Sequence, residues 1–202
     1  MKKRLITLIV AIVIMMGLCI TSAYAEEKEY ETATIIWDYL LEQDYSEIIA
    51  AAILGNIMAE AGGQTLDIDA TIGSRDYYGI CQWSYKYCPD VFDKDLEKQL
   101  DYLNKTMEKE FNTFGSQYKS NFKFSDFLEM TDVREAALAF SKCYERNAPG
   151  SYFVRQENAV VAYEYFVEKQ QCLHCIRMAQ SCGHMELLQK LQRYQPIRLV
   201  KV

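Results

Sequence analysis

The chain has 202 residues, of which 50% are hydrophobic and 25% charged, and its formal net charge at pH 7 is −6. The charge is unevenly placed: residues 26–169 contain 14 Lys/Arg and 27 Asp/Glu, whereas residues 170–202 contain 5 and 1. A body with a net charge of −13 argues against nucleic-acid binding and against bulk attraction to any other anionic polymer. Recognition of such a polymer would have to come from a cleft.

The N-terminal segment has the layout of a secretory signal peptide. Residues 1–4 are basic, residues 5–20 are apolar apart from Thr7, and residues 21–25 end in an Ala-x-Ala cleavage site. We therefore expect cleavage after Ala25 and a protein that is secreted or associated with the cell wall. The alternative is an uncleaved anchor at residues 5–20, although this stretch is short for a span of ~20 residues.

Six cysteines remain after that cleavage, at positions 81, 88, 143, 172, 175 and 182. An even number in an exported protein permits disulfides. Two readings of the first three are open: Cys81 and Cys88 bridge one loop, or Cys81 and Cys143 are buried free thiols. The tail cluster that ends at His184 has poor spacing for zinc, so we expect no metal and no cofactor.

The body reads mainly as helices, with room for short strands between residues 67 and 83 only. Ser46 and either Thr131 or Asp132 can cap helices, and Gly62 can end one. Apolar periodicity predicts helices over residues 34–43, 46–61, 93–111, 131–146 and 151–170. We expect a mostly α-helical α+β domain over residues 26–169, followed by an extension of unknown role at residues 170–202.

One glutamate lies on an apolar helix face. Ile53, Asn56, Ile57 and Glu60 fall at i, i+3, i+4 and i+7, so Glu60 should face the interior or a cleft. Desolvation and the negative end of the helix dipole both favour a protonated carboxyl there. Protonation of a glycosidic oxygen requires such an acid. The alternative is an ordinary surface glutamate.

The distribution of histidine narrows the chemistry further. Both histidines, His174 and His184, lie in the tail, so the body alone cannot form a Cys-His or Ser-His hydrolase site. Carboxylate chemistry remains, and the candidates for a second carboxylate that assists Glu60 are Asp67, Asp69 and Asp76. Asp76 is the first choice because it lies closest to the aromatic turn at residues 77–83.

Three ordered segments, at residues 55–60, 78–83 and 136–146, resemble the phage tail lysozyme family. The likeness covers about residues 32–166, and the pattern is more distantly similar to goose-type lysozymes and lytic transglycosylases. This resemblance implies a lysozyme-like fold and cleavage of the glycan strands of peptidoglycan. It places the catalytic acid at Glu60, the turn glutamine at Gln82 and the tyrosine of the third segment at Tyr144.

The aromatic turn offers groups for sugar binding. Tyr78 and Trp83 can stack on pyranose rings, and Gln82 can hydrogen-bond an acetamido or hydroxyl group. Because side chains alternate along a strand, Tyr77 and Tyr78 cannot both face one groove. The resemblance to the family motif implies that Tyr78 and Gln82 face it. Glu145 and Arg146 are expected to form an ion pair that supports the site.

Four functions are compatible with the sequence. With Asp76 or another carboxylate assisting Glu60, the enzyme would be a muramidase that transfers the glycosyl unit to water. With Glu60 alone, it could deprotonate the sugar's own hydroxyl and form anhydro ends as a lytic transglycosylase does. The chain could instead be a catalytically silent wall-binding module, or an accessory that opens the wall for phage or conjugative machinery.

Overall fold

The computed structural model describes residues 30–181, with side chains described as far as residue 168. The predicted signal peptide therefore lies outside the described residues, as does the tail beyond residue 181. The α-helices are α1 (Glu31–Glu42), α2 (Glu47–Ala61), α3 (Leu96–Phe114), α4 (Phe124–Leu128), α5 (Val133–Phe140) and α6 (Tyr152–Ser181); the strands are β1 (Tyr77–Tyr78) and β2 (Trp83–Ser84). Short 3₁₀ turns cover Pro89–Val91, Gly115–Gln117 and Pro149–Ser151, and a π-helical turn covers Ser141–Glu145.

Helix α2 is the centre of the domain and packs against α1, α5 and α6. Its sequence is apolar on all sides, and residues 49–58 are all buried, as expected for a helix enclosed by others. Ser46 caps its start by accepting a hydrogen bond from Ile49 N at 3.3 Å. Gly55 lets α6 approach closely, because a Cβ at this position would lie 2.3 Å from Ala159 N.

The two strands form a small antiparallel hairpin in which Tyr77 pairs with Ser84 and Tyr78 with Trp83. Gly79 begins the connection with a φ of +80°, and a Cβ there would meet Gln99 Oε1 at 2.2 Å. Gln99 is buried on α3 and accepts a hydrogen bond from Ile80 N at 2.9 Å. The hairpin is therefore fixed to α3 by a backbone contact that requires glycine.

The predicted fold class is confirmed: the domain is mostly helical with one small sheet. The helix predicted at residues 93–111 begins later, at Leu96, because Asp95 caps it by accepting from Lys98 N. Asp132 caps α5 as one of the two predicted candidates. The last helix continues through position 170 to Ser181 without a break.

The structure also bears on the cysteines and on membrane-spanning helices. Cys81, Cys88 and Cys143 are free thiols, so the expectation of a Cys81–Cys88 disulfide is wrong. The alternative expectation, that Cys81 and Cys143 are buried free thiols, is confirmed. Within residues 30–181, no helix combines the length and the apolar character that a membrane crossing requires.

Candidate active site

A cleft of about 450 Å³ lies between the end of α2, the hairpin, α3 and the π-helical turn. These elements contribute backbone and side chains of mixed character, with carboxylates, aromatic rings and one arginine. The lining residues are Glu60, Tyr77, Cys81, Gln82, Trp83, Ser84, Tyr87, Cys88, Tyr102, Thr106, Glu110, Tyr144, Glu145, Arg146 and Asn147. Such a cavity is large enough for a part of a polymeric ligand.

Glu60 reaches the cleft from the last turn of α2, as its place on the apolar stripe predicted. Its side chain is 18% exposed, and Oε1 accepts a hydrogen bond from Arg155 Nη2 at 2.5 Å. Glu60 is also among the residues that line the cleft. The contact with Arg155 therefore holds this carboxyl at the wall of the cleft, with part of its surface open to solvent.

Arg155 extends from α6 and was not predicted as a site residue. It is buried, and Nη1 donates to Asn56 O at 3.2 Å while Nε donates to Ser151 Oγ at 3.4 Å. These contacts fix the guanidinium on α2 beneath the Glu60 carboxylate. The available signal was its spacing, since Arg155 shares a helical stripe with Ala159, Ala162 and Phe166, and a buried arginine needs a partner.

Glu145 is a second glutamate of the cleft, and it was expected to pair with Arg146. The π-helical turn instead ends with Arg146 in the left-handed conformation, at a φ of 57°. Arg146 binds Glu110 at 2.5 Å and lies over the ring of Phe114 at 4.5 Å. The expected Glu145–Arg146 ion pair is thus replaced by one between Arg146 and Glu110.

The surroundings of Glu145 disfavour its charged form. Its Oε1 is buried and has no hydrogen-bond partner among the described residues, while the Cys81 thiol hydrogen-bonds to the carboxyl. Burial first, and then the negative charge of Glu60, raise the pKa of Glu145 to about 8, against the opposing influence of Arg155. Burial also raises the pKa of the Cys81 thiol well above its ordinary value, so this thiol is a donor.

Trp83 and Tyr144 form a braced wall of the cleft. Both are buried, and Trp83 Nε1 donates to the Tyr144 hydroxyl at 3.2 Å. The same hydroxyl lies 2.9 Å from Thr106 Oγ1 on α3. The predicted residues Trp83 and Tyr144 are therefore brought together at the cleft, with their polar atoms bound to each other.

Gln82 also lines the cleft, but its amide nitrogen is occupied. The residue has a positive φ of 45°, and Nε2 donates to Ile72 O at 3.1 Å and to Gly79 O at 2.9 Å. Gln82 thus holds the hairpin loop in place. A hydrogen bond to a ligand would have to use its carbonyl oxygen.

The orientation expected for the two adjacent tyrosines is corrected. They do point in different directions, but Tyr77 lines the cleft and Tyr78 does not. The Tyr78 hydroxyl donates to Lys94 O at 3.1 Å, and its ring packs on Phe92. Tyr87 takes a place at the rim that was not predicted, with 71% of its surface exposed.

The three aspartates considered as second carboxylates are not among the residues that line the cleft. Asp76 is exposed and absent from the lining, and so are Asp67 and Asp69. Asp69 accepts from Thr71 N at 2.8 Å and from its hydroxyl at 2.7 Å, and these bonds lower its pKa. Among the described residues, the carboxylates that the structure brings to the cleft are Glu60, Glu110 and Glu145.

Comparison with known proteins adds one finding. The family model described as phage tail lysozyme matches residues 31–166, a range that contains α1 to α5, the hairpin, the cleft and the part of α6 that carries Arg155. A search of curated proteins found no match. Among the described side chains, no group of three His, Cys, Asp or Glu residues is placed to hold a metal ion.

Proposed function

The chain belongs to the phage tail lysozyme family, and from this premise we propose that it hydrolyses the glycan strands of peptidoglycan as a muramidase. The scissile bond joins N-acetylmuramic acid to N-acetylglucosamine. The observation that carries the proposal is the Glu60 carboxyl, which lines the cleft and is held in place at Oε1 by Arg155. A carboxyl fixed at the wall of a cleft is suited to proton transfer at a defined point.

In the proposed reaction, Glu60 donates its proton to the glycosidic oxygen. The bond between this oxygen and C1 of N-acetylmuramic acid breaks, and its electron pair stays on the oxygen. A water molecule then adds its hydroxyl to C1 and returns a proton to Glu60, which restores the enzyme. Arg155 stabilises the carboxylate that exists between these two proton transfers.

The rim of the cleft supports binding of a polysaccharide. Tyr77 is 51% exposed and Tyr87 is 71% exposed, and both line the cleft. Exposed aromatic rings offer flat apolar faces to sugar rings, and their hydroxyls remain in water. The acidic body makes bulk attraction to an anionic wall unfavourable, so this local contact carries recognition.

The substrate lies outside the cytoplasm, which agrees with the sequence of residues 1–25. We include export in the proposal, with cleavage after Ala25 and a mature chain that begins at Glu26. Protein purified from culture medium should show this N-terminus in its intact mass.

The test is digestion of purified peptidoglycan with the wild type and with Glu60→Gln, followed by mass spectrometry of the released fragments. The wild type should release fragments with reducing ends. The amide keeps the shape of the side chain but cannot donate the acid proton, so activity should fall by at least ~10²-fold. Glu129→Gln, an exposed glutamate at the end of α4, is the matched control and should retain activity.

Each other product would contradict part of the proposal. Anhydro ends would show intramolecular transfer in place of hydrolysis, and the enzyme would be a lytic transglycosylase. Binding to sacculi without release of fragments would identify a catalytically silent wall-binding module. Wild-type-like activity of Glu60→Gln would remove Glu60 from the role of acid.

A further inference from the structure

Two glutamates reach the cleft from different elements and differ in what surrounds them. Glu60 comes from the end of α2, with Arg155 bound to Oε1 and 18% of its side chain exposed. Glu145 comes from the π-helical turn, and its Oε1 is buried without a hydrogen-bond partner in the described part of the chain. Glu60 is therefore suited to contact substrate, and Glu145 is suited to influence the protonation of Glu60.

The position of Glu145 is built into the fold. A π-helical turn is rare and often occurs at functional sites. Here it ends at Arg146, a non-glycine residue in the left-handed region, and such strain persists only where surrounding contacts impose it. The Arg146–Glu110 ion pair and the stacking of Arg146 on Phe114 supply those contacts.

The charged and titratable groups that face Glu145 come from every neighbouring element. Glu60 from α2 repels its negative charge, whereas Arg155 from α6 and the adjacent Arg146 attract it. The Cys81 thiol from the hairpin loop donates to it. On α3, Glu110 is neutralised by Arg146. Glu60 and Glu110 are thus each paired with an arginine, whereas among the described residues Glu145 forms no ion pair within 4 Å.

We propose that Glu145 is the electrostatic partner of Glu60, so that the two carboxyls hold a single proton between them at neutral pH and this proton serves the reaction. The inference rests on the proposed function of Glu60. Glu145 is a positioning residue for the proton and needs no contact with substrate. Because burial and the charge of Glu60 raise the pKa of Glu145 to about 8, the pair should lose its last proton near that pH.

The experiment compares the pH dependence of fragment release for the wild type and Glu145→Gln. The amide is neutral at every pH and keeps the shape, so the repulsion that retains the proton is removed. The basic limb of the profile should move to lower pH by about one unit, which is a loss of about fivefold relative to the wild type at pH 8 that disappears near pH 5. A purely structural role would lower activity by the same factor at every pH.

A second measurement does not depend on activity. Carbon-13 NMR of the glutamate carboxyls should show Glu145 titrating at lower pH in Glu60→Gln than in the wild type, because the neighbouring negative charge is gone. An unchanged basic limb or an unchanged Glu145 titration would overturn the inference while leaving the proposed function intact. An inactive wild type would instead refute the proposed function, and the NMR titration would still decide the coupling.

Discussion

At the scale of single residues, the site combines two carboxyls with one buried guanidinium. Arg155 is 6% exposed at its side chain and Glu60 is 18% exposed, so this ion pair is largely removed from water. Removal of one partner from such a pair leaves an uncompensated charge that costs about 3–5 kcal/mol. Arg155 also donates hydrogen bonds to Asn56 and Ser151, and these hold its guanidinium next to the Glu60 carboxylate.

We predict that Arg155→Gln lowers the free energy of unfolding by about 3 kcal/mol and reduces fragment release at every pH. Its basic limb should move to higher pH, opposite to that of Glu145→Gln, because a positive charge that favours loss of the proton has been removed. Denaturant unfolding and pH profiles measure both effects. Arg155→Lys keeps the charge but loses the planar donor set, so its stability and its pH profile should lie between those of the wild type and those of Arg155→Gln.

Arg134 offers the matched control, since it forms an exposed ion pair with Glu157. Arg134→Gln should change the free energy of unfolding by no more than about 1 kcal/mol and leave the pH profile in place. A profile of Arg155→Gln that coincides with that of the wild type would show that Arg155 supports the fold without acting on Glu60.

At the scale of elements, local signals in the sequence predicted the five longer helices, whereas the five-residue helix α4 was not predicted. Ser46 and Asp132 cap α2 and α5 as predicted, because a cap depends on neighbours within three residues. The place of Glu60 in the cleft followed from its helical spacing in the same way. Predictions from caps and helical spacing therefore agreed with the structure, whereas the ion pair expected between the adjacent residues Glu145 and Arg146 is replaced by one between Arg146 and Glu110.

Contacts between distant residues were not predictable by the same means. Arg155 and Glu60 are 95 residues apart in the chain, and no periodicity in α6 indicates which helix it meets. Glu145 was assigned to an ordinary helix end, but the π-helical turn alters the direction of side chains that a period of 3.6 would give. The sequence predicted that the side chains of Tyr77 and Tyr78 point in different directions. Which of them faces the cleft depends on how the hairpin packs against α3, a contact between residues distant in the chain.

The close contact of α2 with α6 gives a prediction at this scale. We expect Gly55→Ala to lower the free energy of unfolding by about 1–3 kcal/mol, because its Cβ would lie 2.3 Å from Ala159 N, which is backbone and cannot turn aside. Activity should fall as well, since the same two helices carry Glu60 and Arg155. Thermal unfolding and fragment release measure these effects on one sample.

Gly150→Ala is the control for this substitution, because a Cβ at Gly150 would meet no atom within 4 Å. Its free energy of unfolding should stay within about 0.5 kcal/mol of the wild type. An equally stable Gly55→Ala would mean that the two helices can separate without cost, and the rigid placement of Arg155 would then need another explanation.

At the scale of the whole molecule, charge divides the chain into two parts. The body over residues 26–169 has a net charge of −13, and residues 170–202 have a net charge of +4. The family match ends at residue 166, and the site side chains all precede that position. The helix itself continues to Ser181, so the boundary in charge and composition lies within a continuous helix.

We predict that residues 170–202 are dispensable for the chemistry and contribute to contact with the wall. A chain that ends at Lys169 keeps Arg155 and the α6 side chains that pack in the core, including Phe166, which stacks on Trp37 at 4.7 Å. Its turnover of short soluble glycan fragments should therefore be nearly unchanged. On intact walls its activity should fall, and the deficit should be larger at low salt, because attraction between exposed charges is screened beyond about 10 Å at 0.1 M salt. Loss of activity on soluble fragments would instead place the tail within the fold or the site, and the domain would then extend beyond residue 169.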